Sequence, residues 1–238
     1  MDIAIIIFPG TNRESDMIDA VESVSSFRVR RVWHKNTDLG RPDLIILPGG
    51  FSYGDYLRCG AMAAHSPIMS DVIKHAKSGT PVLGVCNGFQ MLVETQILPG
   101  ALLRNKTLKF ICKQTHLKTE NTDNLFTAHL QNGDVLKVPV AHGEGNYFAS
   151  DDQVKELVDN GQIVFRYCND NGELDENANL NGSVAHIAGI TNRRKTILGM
   201  MPHPENAVLP HQNTKEAFEN MAVSGQSFFK SIIETLAG

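Results

Sequence analysis

A chain of 238 residues, 42% hydrophobic and 20% charged, has enough apolar material for one large α/β domain or two small ones. Its formal net charge of −4 argues against nucleic acid or an anionic membrane surface as the principal partner. The four cysteines (Cys59, Cys86, Cys112 and Cys168) form neither CxxC pairs nor a metal-ligand rhythm, so no metal site and a reducing cytoplasm are expected.

Residues 3–8 form a continuous apolar run, the pattern of a strand buried on both faces. The start lacks the basic region and small-residue cleavage site of a signal peptide, and no apolar run approaches a membrane-spanning length. After Pro9-Gly10, capping candidates from Thr11 precede Met17, Ile18, Val21 and Val24 at helical spacing. Residues 27–33 alternate like a second strand, and 43–47 read as a buried strand stopped by Pro48-Gly49-Gly50. A helix is expected over 68–76 and a strand over 81–85, delivering Cys86. This βαβα rhythm predicts an α/β fold, an open, mostly parallel sheet with helices on both faces. Ligands of such sheets bind beyond the carboxyl ends of the strands, where Gly10, Gly49-Gly50 and Cys86 would gather.

The rest is less regular. Residues 108–117 and 134–140 look like strands of a partly antiparallel excursion, and 169–182, rich in Asn, Asp, Glu and Gly, reads as an exposed loop. Strand character returns at 163–167, 186–191 and 197–201, and 214–236 reads as a closing amphipathic helix. No repeat or linker interrupts the pattern, so a single domain over 1–238 is expected. Asn105-Lys106-Thr107 and Asn181-Gly182-Ser183 match the glycosylation sequon but lack a secretory context.

Three segments carry chemistry. The run ending in Gly84-Val85-Cys86-Asn87-Gly88 is the pattern of a nucleophile elbow, a strand that turns sharply through a strained residue into a helix. At a helix start the amides and the macrodipole favour negative charge, which suits a nucleophilic sulfur; the plainer reading is a buried structural cysteine. Pro202-His203-Pro204-Glu205 places an imidazole and a carboxylate on a stiff turn, because Pro204 fixes its own φ and keeps His203 extended. His203 as base for Cys86, oriented by Glu205, is the logic of a catalytic triad; alone, the turn reads more readily as a solvated strand end. Acyl transfer also needs oxyanion donors, for which the amides of Asn87 and of the Gly49-Gly50 turn are candidates. His142-Gly143-Glu144-Gly145 reads either as a structural turn or as a wall of the cleft. There is no Walker A loop, no GxGxxG and no HExxH.

Together these segments resemble the triad-type glutamine amidotransferases. Gly84-Val85-Cys86-Asn87-Gly88-Phe89-Gln90 looks like their nucleophile segment, Pro48-Gly49-Gly50 like their oxyanion strand and Pro202-His203-Pro204-Glu205 like their base and acid. Gly49-Gly50-Phe51-Ser52-Tyr53-Gly54-Asp55-Tyr56-Leu57-Arg58-Cys59-Gly60 is similar to the corresponding stretch of phosphoribosylformylglycinamidine synthases, as are Phe8-Pro9-Gly10-Thr11-Asn12 and Ala141-His142-Gly143-Glu144-Gly145. The resemblance covers essentially the whole chain and implies a flavodoxin-like sheet. It implies that Cys86 attacks glutamine, that His203 shuttles protons and that Glu205 orients the imidazole. Gly50 and Asn87 would supply oxyanion amides, and Gln90 a glutamine contact. It assigns no cofactor to this chain; ATP and magnesium would sit on a partner synthetase subunit, with a small bridging subunit completing the complex.

Rival readings are a cysteine hydrolase or chaperone-like protein on a related sheet, a non-catalytic amidotransferase-like module, and a glutaminase serving another acceptor. The distal His-Pro-Glu turn disfavours the first, the complete triad the second, and segment 53–60 the third.

Overall fold

The computed structural model describes residues 1–209, 212 and 224–238. In chain order its elements are β1 (Asp2–Ile7), α1 (Glu14–Glu22), β2 (Arg28–Trp33), β3 (Leu44–Leu47), α2 (Ala61–Ala64), α3 (Pro67–Ser78), β4 (Val82–Val85) and α4 (Asn87–Glu94). There follow β5 (Ala101–Leu103), β6 (Ile111–Thr119), β7 (Val135–His142), β8 (Asn146–Phe148), α5 (Asp151–Asp159), β9 (Ile163–Cys168), β10 (Ile187–Thr191), β11 (Ile197–Met200) and α6 (Ser224–Ala237).

A nine-stranded sheet runs β2-β1-β3-β4-β11-β10-β9-β6-β7, and β5 pairs with β8 separately. From β2 to β11 the neighbours are parallel, and from β11 to β7 they are antiparallel. The parallel strands β3, β4 and β11 are buried at every residue, which explains their uninterrupted apolar sequences. β7 instead alternates half-buried and buried positions, as a strand with one covered face does. The crossover from β1 to β2 through α1 and that from β3 to β4 through α3 travel in opposite directions across the sheet. Since parallel crossovers are right-handed, opposite directions of travel place α1 and α3 on opposite faces by that rule. α6 packs with α1, whereas α4 packs on β3, β4 and β11. Residues 87–93 of α4 are all buried, so this helix belongs to the interior all round.

The fold expected from the sequence stands, with local differences. The strand expected from 108 begins at Ile111, because Leu108 has left-handed backbone (φ 57°) that cannot enter an extended ladder. α5 lay outside the expected elements although its sequence carries two helix signals, Val154, Leu157 and Val158 at helical spacing and the Ser150/Gln153 capping box. β5 and β8, at 3 residues each, are too short to show alternation. α6 matches the end of the expected 214–236 helix, and residues 214–223 lie outside the described residues.

The joint between β3 and α4 is tight enough to dictate a residue. A Cβ on Gly88 would overlap the backbone carbonyl of Leu47, which cannot move without breaking the sheet. Gly88→Ala is therefore expected to destabilise the protein by about 3 kcal/mol or more. Chemical denaturation measures it, and a loss under about 0.5 kcal/mol would show that the joint yields.

Candidate active site

Adjacent parallel strands deliver their carboxyl ends to one edge of the sheet. Gly10 follows β1, Gly49 and Gly50 follow β3, Cys86 follows β4, and His203 lies just past β11. β11 runs beside β4 with Met200 opposite Val85, so the chain emerging from β11 meets the elbow.

Cys86 itself has φ 51° and ψ −107°, a strained conformation for a residue with a Cβ. Such backbone costs of the order of 1–3 kcal/mol and survives where its surroundings over-determine it. Here the Cys86 amide donates to Met200 O at 2.8 Å, and its carbonyl accepts from Gln90 N–H at 3.1 Å. The sulfur lies 3.8 Å from Ala141 O, at the end of β7.

His203 and Glu205 are 2% and 0% exposed, and Nδ1 of the ring is 2.7 Å from Oε1 of the carboxylate. The His203 amide donates to Pro139 O at 2.8 Å, tying the turn to the free edge of β7. With Nδ1 engaged, Nε2 is left buried without an aligned protein partner. Burial disfavours the imidazolium, but the Glu205 carboxylate and then the neighbouring Cys86 sulfur outweigh it and hold His203 well above the usual imidazole range. A Cβ on Gly49 would come within 2.8 Å of His203 Cε1, so glycine lets the ring stand against the main chain.

The oxyanion candidates also converge. Gly50 forms an antiparallel bridge with Thr11, and Phe51 N–H donates to Gly10 O at 2.9 Å, so the glycine turn is zipped to the segment after β1. The amides of Gly50 and Asn87 find no acceptor among the described residues; the latter is one of the orphan donors that open any helix. Two free donors from two anchored turns can hold a developing oxyanion.

The side chains of Asn87 and Gln90 are committed to the walls. Asn87 accepts from Ser52 N–H at 3.1 Å and donates to Gln90 Oε1 at 2.9 Å, and Gln90 donates to Glu144 O at 2.7 Å. The pair thereby pins the loop after β3 and the turn after β7 to α4. Gln90, expected as a substrate contact, is 4% exposed; its Oε1 accepts from Asn87 and its Nε2 donates to Glu144 O. Burial, then the carboxylates of Asp55 and Glu144, push the thiol of Cys59 far up, which disfavours its thiolate.

Sequence reasoning missed the free edge of β7, whose backbone carbonyls at Pro139 and Ala141 contact His203 and Cys86, because carbonyl positions leave no residue-type signal. It also passed over Asn105 and Asn181. Both sequon asparagines are fully buried, and both bond to the turn after β7, Asn105 to the Gly145 amide at 3.1 Å and Asn181 to the Gly145 carbonyl at 2.7 Å.

Against known proteins, residues 1–234 match the CobB/CobQ-like glutamine amidotransferase domain. The chain is 49% identical to phosphoribosylformylglycinamidine synthase subunit PurQ of Rhodopseudomonas palustris strain BisB18, over 100% of this chain and 99% of that protein. It is 50% identical to the subunit of the same name from Chlorobaculum parvum, over 93% of this chain and 89% of that one. A chain in the structure of PurLQS from Thermotoga maritima superposes with a TM-score of 0.84 at 38% identity, covering 99% of this chain and 98% of that chain. A second Thermotoga maritima glutamine amidotransferase, 16% identical over 100% of this chain and 96% of its own, shares the fold with a TM-score of 0.56.

Proposed function

This chain belongs to the CobB/CobQ-like glutamine amidotransferases, and from that premise we propose that it is the glutaminase subunit of a phosphoribosylformylglycinamidine synthase. It hydrolyses L-glutamine and passes the ammonia to a synthetase subunit, which converts formylglycinamide ribonucleotide to its amidine in de novo purine biosynthesis. The relatives named PurQ and the PurLQS complex support both the reaction and the synthetase and bridging partners. ATP and magnesium are assigned to the synthetase, and the compartment to the cytoplasm. Among the described residues no helix is long and apolar enough to cross a membrane.

The chemistry follows from the site. Cys86 Sγ, its proton already held by His203, attacks the carboxamide carbon. The tetrahedral oxyanion is received by the amides of Gly50 and Asn87. His203 then protonates the departing nitrogen, and ammonia leaves a glutamyl thioester. Water attacks the thioester, His203 takes its proton, and collapse releases glutamate and the thiol. Glu205 holds the ring in one tautomer and stabilises its charged form throughout. A guarded transfer is needed because ammonia in neutral water is mostly protonated and then no longer nucleophilic.

One observation carries this reading: the 2.7 Å bond from His203 Nδ1 to Glu205, which aims a basic imidazole at the elbow cysteine. The test is reconstitution with the purified synthetase and bridging subunits. Glutamine should yield about one glutamate per amidine, and acid quench during turnover should leave a glutamyl group on the peptide bearing Cys86. Glutamine consumed without that adduct would sink the thioester. An adduct without amidine would point to another acceptor.

A further inference from the structure

The side chain of Asn87 makes contacts that its own helix does not call for. Asn87 is the first residue of α4, whose cap is Cys86, so it gains nothing from local capping. It is nevertheless 1% exposed, and its amide is engaged at both ends. The Ser52 N–H can bond only to an acceptor, so the oxygen of the Asn87 amide faces Ser52 at 3.1 Å. The nitrogen then faces Gln90 Oε1 at 2.9 Å and Asp55 Oδ1 at 3.3 Å.

The main chain after β3 explains why Ser52 matters. Asn12 N–H donates to Gly49 O at 3.4 Å and Phe51 N–H to Gly10 O at 2.9 Å, on either side of the Thr11–Gly50 bridge. In that ladder pattern the N–H of the bridging residue points away from its partner segment. The amide of Gly50 therefore turns its back on residues 10–12. Amides alternate along an extended chain, so that of Ser52, two residues on, leaves on the same side and ends at Asn87. The chain next doubles back through three successive left-handed residues, Tyr53, Gly54 and Asp55 (φ 54°, 76° and 49°). Two of them carry a Cβ, so the turn is strained and needs support. Tyr53 supplies it: its amide donates to Pro9 O at 2.7 Å, and its hydroxyl lies 2.6 Å from His34 Nδ1 and 2.8 Å from Ser66 Oγ. The turn thus offers one donor, Ser52 N–H, and one acceptor, the Asp55 carboxylate, to the two ends of a single amide.

Resting on the glutaminase reading, we propose that the Asn87 side chain is a positioning residue, a clasp that sets the gap between the oxyanion amides of Gly50 and of Asn87 itself. One amide belongs to the glycine turn and the other to the elbow, and the bond from Ser52 ties the two segments directly beside the donors. The oxyanion exists only once sulfur has attacked. A slack gap therefore weakens bonds to the transition state and leaves the binding of intact glutamine as it was.

The test is Asn87→Leu in the complex assembled with the synthetase and bridging subunits. Leucine fills a similar volume and keeps the backbone amide but cannot clasp Ser52. For glutamine, kcat and kcat/KM should fall together by about 10- to 100-fold, with KM within about threefold of wild type. Alkylation of Cys86 by iodoacetamide, followed by mass spectrometry of its peptide, should stay within about threefold. In that reaction sulfur displaces iodide and no oxyanion forms, so it reads the nucleophile without the donors. Ammonia-driven amidine formation should persist, showing that the complex is intact. Should the variant not fold, residue-resolved amide hydrogen exchange of the unaltered chain gives an independent reading. The Ser52 amide should be protected about as strongly as the Cys86 amide, and free exchange at Ser52 overturns the clasp. A folded variant that keeps kcat within about twofold overturns this proposal alone. So does a rise in KM at unchanged kcat, or a loss of alkylation that parallels kcat. A wild-type complex that never forms the Cys86 adduct overturns the glutaminase reading and this proposal with it.

Discussion

Cys86→Ala should abolish glutamine-dependent amidine formation in the assembled complex while the reaction driven by added ammonium salt continues. In triad enzymes the nucleophile, base and orienting group act as a unit, so removing the nucleophile forfeits nearly all of the chemistry, roughly 10⁴-fold or more in kcat. The amides of Gly50 and Asn87 would remain poised, but with no sulfur there is no thioester for them to stabilise. The variant should still fold. It loses one buried sulfur atom from a 6% exposed side chain, and alanine tolerates the positive φ of 51° no worse than cysteine does. Persistent glutamine-dependent synthesis in Cys86→Ala would refute the assignment. Loss of the ammonia-dependent reaction as well would mean that the substitution had disturbed the complex.

Glu205→Gln tests the electrostatic part of the site with almost no change of shape. Glu205 is fully buried, and its Oε1 lies 2.7 Å from His203 Nδ1. The amide can still meet the ring but carries no charge, so the burial that already opposes the imidazolium is no longer outweighed by the carboxylate. We expect kcat for glutamine to fall by roughly 10²- to 10⁴-fold, as when a triad loses its orienting carboxylate. The sign of the pH effect follows. Glu205 raises the proton affinity of His203, so its neutralisation moves the ring's titration to lower pH. The high-pH limb of kcat/KM, where the protonated ring is lost, should move downward in the variant. An unmoved limb with a small loss of rate would show that Glu205 only packs.

Much of this was legible because it is local. The elbow is written in consecutive residues: an apolar strand, a cysteine, and a glycine where a Cβ would strike Leu47. The His-Pro-Glu turn was legible as a stiff pair for the same reason, since proline geometry acts on its immediate neighbours. Gly49 was legible as a glycine but not for its reason, which is the His203 ring resting on it. α5 was legible too, in Val154, Leu157 and Val158 at helical spacing and in its Ser150/Gln153 capping box, but it is short and buries fully only Leu157. His142 and Asn105 were ambiguous because a polar residue looks the same in sequence whether it is solvated or fully enclosed.

What the sequence determined by itself is the set of chemical parts: a strained elbow cysteine, a proline-braced histidine and glutamate, and glycine turns at strand ends, on a chain whose apolar runs specify a parallel sheet. What only the tertiary structure decided is which parts meet. Pairing of β11 beside β4 brings His203 to Cys86, and the folded-back edge of β7 supplies the carbonyls that hold both. The same packing brings Ser52 to the side chain of Asn87. The physical reason is range. Backbone strain and proline restriction act between neighbours in the chain, whereas proton affinity, tautomer and desolvation are set by whatever the fold packs alongside.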